Sequence, residues 1–287
     1  MRRGLRLVAA LVAGSLLAGC SAVRLAYENA DTYLRWRASA YIDVQGEAAD
    51  ELDERIDAFL DWHRAKALPQ YARFSEEAAK RLDRGGISAA DLVWGYDALM
   101  LQAKEGLRAA AGQLAPMLDR LTPEQVAQLE RRLAEDNRKF ARENLKGSEA
   151  ERRKRRAKVM QNRLEEWVGK LNQAQVERVR QYAERAPLTD EHRDRDRKRL
   201  QAELLAMVRK HEAVKRLPDF AADWQKGRDP AFLALNEAWR KEFYQLLIDL
   251  DRSLSAAQRA KAVANFRRYA EDFSVLSGQA GAEPRGR

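Results

Sequence analysis

Isoleucine and threonine are almost missing from this chain. Only Ile42, Ile56, Ile87 and Ile248, and only Thr32, Thr122 and Thr189, stand among its 287 residues. Stiff β-branched side chains favour strands, whereas the abundant Ala, Leu, Arg, Glu and Gln lose little freedom in a helix. The expected fold is therefore all-α: a multi-helix antiparallel bundle or helical array, roughly eight to ten helices with short connections.

Helix starts and stops divide the chain. Leu121-Thr122-Pro123-Glu124-Gln125 puts Thr122 at an N-cap and Pro123 at the first helical position, with Gln125 closing a capping box. The same order, apolar residue, cap, two spacers and Gln, recurs at Leu171-Asn172…Gln175 and Leu254-Ser255…Gln258. The intervals of 50 and 83 residues are unequal, so the phrase is not a solenoid repeat. Leu52, Ile56, Phe59, Leu60 and His63 form a 3–4 spaced stripe, and Pro69 is expected to bend or restart that helix. Gly85-Gly86 is a turn, and Ser88 opens a helix expected to end near Ala115, ahead of Pro116. Gly147-Ser148 precedes a basic helix. Pro187 stops the helix capped by Asn172, and Thr189 starts the next. Pro218 and Pro230 are expected to bracket a looser stretch. Tyr27, Leu34 and Tyr41 are seven apart, so a helix over Val23 to Tyr41 carries them on one face, suited to lying beside a membrane surface.

The first nineteen residues have the parts of an export signal. Arg2, Arg3 and Arg6 precede an apolar run of about a dozen residues, short of the ~20 a membrane span needs. Leu17-Ala18-Gly19-Cys20 resembles the lipobox of bacterial lipoproteins. That resemblance implies cleavage between Gly19 and Cys20 and acylation of Cys20 on its thiol and its new amine, with palmitate-like chains and a diacylglycerol group. Cysteine is required because the thiolate is the nucleophile, and several chains are needed for stable anchoring. Ser21 in place of Asp implies delivery to the outer membrane, facing the periplasm. The expected division is 1–19 as signal, 20–42 as a lipidated membrane-proximal segment, 43–277 as a helical domain and 278–287 as a disordered tail. Cys20 is the only cysteine, which excludes an intrachain disulfide.

Loss of the signal removes three arginines and leaves fifty basic against 44 acidic side chains, intermixed along the chain. Such mixing fits solvated helix faces better than a nucleic-acid surface, and no nucleic-acid partner is expected. No glycine-rich phosphate loop and no nucleophile elbow is present. His63 lacks a second histidine at ligand spacing, with only Glu54 and Asp61 near it, so no metal or other cofactor is expected. His192 and His211 likewise lack evident partners. The run Arg152 to Arg156 reads either as an anionic-lipid contact or as a solvated face. Arg193-Asp194-Arg195-Asp196-Arg197 reads as an exposed, salt-bridged helix surface.

Beyond the lipobox, Ser21 to Asp31 (with Val23-Arg24-Leu25-Ala26-Tyr27-Glu28-Asn29-Ala30-Asp31), Trp62-His63-Arg64 and Leu68-Pro69-Gln70-Tyr71-Ala72 resemble a family of uncharacterised bacterial lipoproteins with a domain of unknown function. The resemblance implies location and fold, and no catalytic residue. Leu121-Thr122…Gln125 resembles helix starts of small periplasmic chaperones of the Spy and CpxP type, though a capping box with a hydrophobic staple, Leu121 against Val126, accounts for it without any function. The expected function is non-enzymatic: binding of an envelope protein or component through Tyr27, Asn29, Asp31, Trp62, His63 and Tyr71, all of which read equally as core or interhelix contacts. A tethered chaperone for unfolded clients is the alternative, and an enzyme acting on the envelope is a third.

Overall fold

A computed structural model describes residues 22–278. The signal segment, Cys20 and the tail from residue 279 lie outside the described residues. Those described are all-α: α1 (Ala22–Glu28), α2 (Ala30–Ser39), α3 (Glu47–Trp62), α4 (Leu68–Arg84), α5 (Ala89–Leu118), α6 (Pro123–Phe140), α7 (Glu149–Val168), α8 (Gln173–Arg185), α9 (Asp190–Arg209), α10 (Ala213–Ala222), α11 (Pro230–Ser253) and α12 (Ala256–Leu276).

The interior is divided into three clusters, which makes this a helical array and not a bundle around one axis. The largest joins α4, α7, α8, α11 and α12 through residues such as Leu82, Val168, Tyr182, Leu250 and Val263. A second joins the end of α5 to α6, α9 and α10 through Leu118, Leu129, Met207 and Leu217. The third seats Tyr27, Leu34 and Ala38 against Leu52, Ile56 and Leu60 of α3. Small residues bring α4 close to α12: Ala72, Ser75 and Ala79 are buried on one side of α4, Ala262 and Ala270 on α12.

Five helices begin with complete capping boxes, at Ser88, Thr122, Ser148, Asn172 and Ser255. Two of these, Ser88 with Asp91 and Ser148 with Glu151, use an acid where the recurring sequence phrase has Gln. Thr189 stands at the start of α9, but its hydroxyl makes no capping bond.

Pro116 and Pro218 behave differently from the expectations, whereas at Pro69 the α-helix restarts: α4 begins at Leu68 with Pro69 in its first turn, after a π turn over His63–Ala67 that carries α3 into it. A widened turn relieves the clash between a proline ring and the carbonyl four residues back. Pro116 lies inside α5, which runs on to Leu118 because Met117 and Leu118 are both buried. Pro218 lies inside α10, whose Ala213, Leu217 and Ala222 are buried, so the stretch expected to be looser is partly helical. The single helix expected over Val23 to Tyr41 breaks at Asn29, whose side-chain amide turns back to donate to the Leu25 carbonyl at 2.8 Å.

Candidate functional site

Four of the six residues marked from the sequence meet at His63, among them its neighbour Trp62, whose ring centroid lies 6.3 Å away. His63, on the π turn, stacks on Tyr27 with centroids 5.6 Å apart, and Tyr71 of α4 meets it edge-on at 5.5 Å. Tyr27 Oη lies 2.9 Å from His63 Nδ1. Burial, with Arg64 alongside, lowers the imidazole's pKa. Burial also raises both phenols, and it is the largest cause at Tyr27 and at Tyr71. The aromatic contacts continue from Tyr71 to Phe273, Tyr269 and Trp167. Trp62 stacks on Phe59 and lines an open groove of about 740 Å³ facing α5. Asn29 and Asp31 stand apart from the rings. Asn29 holds the Leu25 carbonyl and Asp31 pairs with Arg35 at 3.1 Å.

The N-terminal helices are fastened to the body. Arg24 Nε donates to Asp272 at 2.7 Å, and that carboxylate is 1% exposed. Tyr41 hydrogen-bonds Asp136 of α6. Leu25, Tyr33 and Trp36 point outward at 58%, 57% and 63% exposure, a stripe at near-helical spacing.

The recurring Gln phrase is a set of clasps. Gln175 and Gln258 close their own capping boxes and also bond each other reciprocally, each Nε2 lying 3.0 Å from the other's Oε1. Their remaining amide protons go to the carbonyls of Ser253 and Lys170, both at 3.0 Å. Gln125 does the same to the Asp43 carbonyl at 2.7 Å. Every polar atom of the phrase thus has a partner in the fold.

Two charge runs differ from their sequence reading. Arg153 and Arg156 cap the C-terminal end of α8, donating to the Ala186 carbonyl at 2.9 and 2.7 Å, and Arg152 pairs with Glu191. These three are engaged inside the molecule, so the run is not a purely solvated face, while Lys154 and Arg155 between them stay exposed. In the alternating run, Asp194 and Asp196 are buried, not exposed. Asp196 takes both Arg199 and Arg228, at 2.9 and 2.8 Å, while Lys198 holds Asp194. His211 takes a positive φ of 54° with Nδ1 at 2.6 Å from the Asp119 carbonyl. Asp119 then caps α10 from outside, accepting from the backbone of Ala213 and Val214.

Sequence reasoning missed a cleft of about 640 Å³ lined by Arg193, Arg197, Arg228, Arg240, Tyr96 and Trp239, among others. It also missed the long helix beside that cleft. From Ala89 to Ala110, α5 has no buried residue although it carries Val93, Leu99, Leu101 and Leu107, all exposed. Among the described residues no helix is long and apolar enough to cross a membrane, and no group of three His, Cys, Asp or Glu is placed to hold a metal ion.

Fold and site define an all-α helical array with an aromatic seam and a basic cleft. The chain belongs to a family of unknown function (DUF6279), whose sequence profile matches residues 40–226. The match takes in α3 to α10 and ends before α11. No curated protein and no solved structure matches the chain.

Proposed function

We propose that this is a lipid-anchored bacterial envelope protein that works by binding and not by catalysis. Residues 1–19 direct export, Cys20 carries the lipid, and the helical body faces the periplasm from the outer membrane. The observation that carries this reading is the outward stripe of Leu25, Tyr33 and Trp36, which begins five residues after Cys20. Tyr and Trp favour the bilayer–water interface, where a ring sits among acyl chains and its polar edge stays hydrated. The lipobox and the stripe thus support this reading from two different features at one end of the chain.

A tethered chaperone is the second reading, favoured by the exposed apolar length of α5. It draws nothing from the Gln phrase, whose amides are occupied by the clasps. Cell fractionation with intact-mass measurement tests the first reading. The wild-type chain is expected in the membrane fraction, with a mature N-terminus at Cys20 heavier by several acyl groups. The Cys20→Ser chain is expected to lose that mass. An unmodified wild-type Cys20 sinks the anchoring proposal. Suppression of a client's aggregation by the folded chain, absent when Leu99 and Leu101 are changed to Ser, would favour the second reading.

A further inference from the structure

The cleft of Arg193, Arg197, Arg228 and Arg240 does not end at α11. Tyr96, Glu237 and Arg240 line it and also line a second opening of about 640 Å³ between α5 and α11. The second opening is walled by Val93, Ala234, Ala238, Tyr244 and Ile248, and its charged side chains are Asp97, Glu237, Arg240 and Lys241. One groove therefore has a cationic half and an apolar half. The seam between them is Arg240, lying 4.8 Å over the Tyr96 ring.

The cationic half has charge to spare. Arg228 is neutralised by Asp196. Arg193 has a single, long ion pair to Asp190 at 3.6 Å and lies over the Phe140 ring at 5.6 Å. Arg197 lies over Phe140 at 4.7 Å and donates weakly to Asn137 at 3.3 Å, while its Nε is buried without a partner. Neither Arg197 nor Arg240 forms an ion pair among the described residues. Guanidinium groups set against ring faces, with donors still free, are suited to planar or tetrahedral oxyanions. Each opening lies within the range of small-molecule sites.

We infer that the groove between α5 and α11 binds an anionic amphiphile, with a phosphate or carboxylate head among Arg193, Arg197 and Arg240 and an apolar chain along Val93, Ala238 and Ile248. The placement in the envelope supplies the source of such a ligand and rests on the reading above. The binding itself is a property of the folded chain and is measured apart from anchoring.

The experiment uses the complete mature chain, residues 20–287 with Cys20→Ser, and isothermal titration calorimetry. The probes are dodecyl phosphate and dodecanoate below their micellar concentrations, with inorganic phosphate and dodecanol as the head alone and the chain alone. At least one amphiphile is expected to saturate, and to bind ~10-fold or more tighter than either half-probe, since one charge-assisted contact or a few buried methylenes is worth that much. The stronger of the two amphiphiles names the head. Arg240→Gln and Ile248→Asn are each expected to weaken it ~10-fold, with Lys215→Gln, a distant charge change, leaving it unchanged. Thermal melts of each variant separate lost binding from lost folding, and Val93→Asn on α5 serves if Ile248→Asn melts early. Absence of saturation overturns the proposal. So does inorganic phosphate or dodecanol binding as well as the amphiphile, or an affinity that Arg240→Gln and the α5 or α11 variant leave intact.

Discussion

Gln175 is 1% exposed, and its amide makes a full set of four hydrogen bonds. Oε1 accepts from the Asn172 backbone and from Gln258, and Nε2 donates to Ser253 and back to Gln258. Replacement by leucine keeps most of the volume and removes every one of these. The Asn172 N–H, the Ser253 carbonyl and half of the Gln258 amide then lose their partner behind a side chain that is itself buried, although Asn172 and Ser253 are exposed residues. Each net bond is worth about 1 kcal/mol, and an orphaned buried group costs about 1–3 kcal/mol, so Gln175→Leu is expected to cost about 3–5 kcal/mol. For a chain of this size that lowers the melting temperature by roughly 10 °C. Gln125→Leu removes the same phrase where the site is half exposed and water replaces the lost partner, and is expected to cost about 1 kcal/mol. Urea denaturation followed by circular dichroism at 222 nm reads both. The double change Gln175→Leu with Gln258→Leu is expected to cost less than the sum of the singles by about 1–3 kcal/mol, because the second leucine removes the group that the first had orphaned. Equal costs at Gln175 and Gln125, or strict additivity at 175 and 258, would refute the reasoning.

Two further perturbations follow from buried groups. Arg259 joins three elements: it donates to the Leu82 carbonyl at 2.8 Å, to the Asp251 carboxylate at 2.6 Å and to the Asp251 carbonyl at 2.8 Å. Arg259→Ala leaves Asp251, 3% exposed, with the Ile87 N–H as its remaining partner, and is expected to cost about 3–5 kcal/mol in the same urea assay. A loss under ~1 kcal/mol would show that water reaches the carboxylate. His63 sets a pH dependence. Its folded pKa lies below the ordinary 6.5, so its contribution is present above pH 6.5 and is lost as pH falls through the lower folded value. Tyr27, Phe59, Tyr71 and Arg64 surround it, and none offers a carboxylate to the imidazolium. Urea midpoints at pH 7.5 and pH 5 are expected to differ more for the wild type than for His63→Gln; an equal difference would remove His63 from the account.

What the sequence made legible was local. An N-cap and its partner lie three residues apart, so Thr122 with Gln125 or Asn172 with Gln175 is written within one turn. What it concealed was pairing at a distance. Gln175 and Gln258 are 83 residues apart, and Asp119 caps a helix 94 residues on. Pro116 and Pro218 misled because the rule that stops a helix is a local cost of a few kcal/mol, and burial of Met117, Leu118 and Leu217 offsets it. His63, Tyr27 and Tyr71 read from residue type either as a surface or as interhelix contacts, and the fold makes them contacts between α1, the π turn and α4. The cleft was hidden for a different reason. Arg193 to Arg197 alternates in sign and so reads as self-compensated. Only the fold shows that Asp196 is taken by Arg199 and Arg228, which leaves Arg197 without a carboxylate.

The attachment of α1 limits how a lipid on Cys20 could be used. Only Ser21 separates Cys20 from the start of α1 at Ala22, so the lipidated residue lies at most ~7 Å from the helix. A tether meant to let a body reach across a compartment needs a long flexible linker, and here the chain enters helix at once. Arg24 is held by Asp272 on α12, Tyr27 by His63, and Leu34 and Ala38 by the α3 cluster. On the proposed anchoring, the body is clamped at the bilayer surface, with Leu25, Tyr33 and Trp36 exposed at the end that meets it. A ligand for such a protein must come to the membrane or come from it. An amphiphile satisfies that condition by its own partition, because its apolar chain already holds it at the interface where the groove is presented.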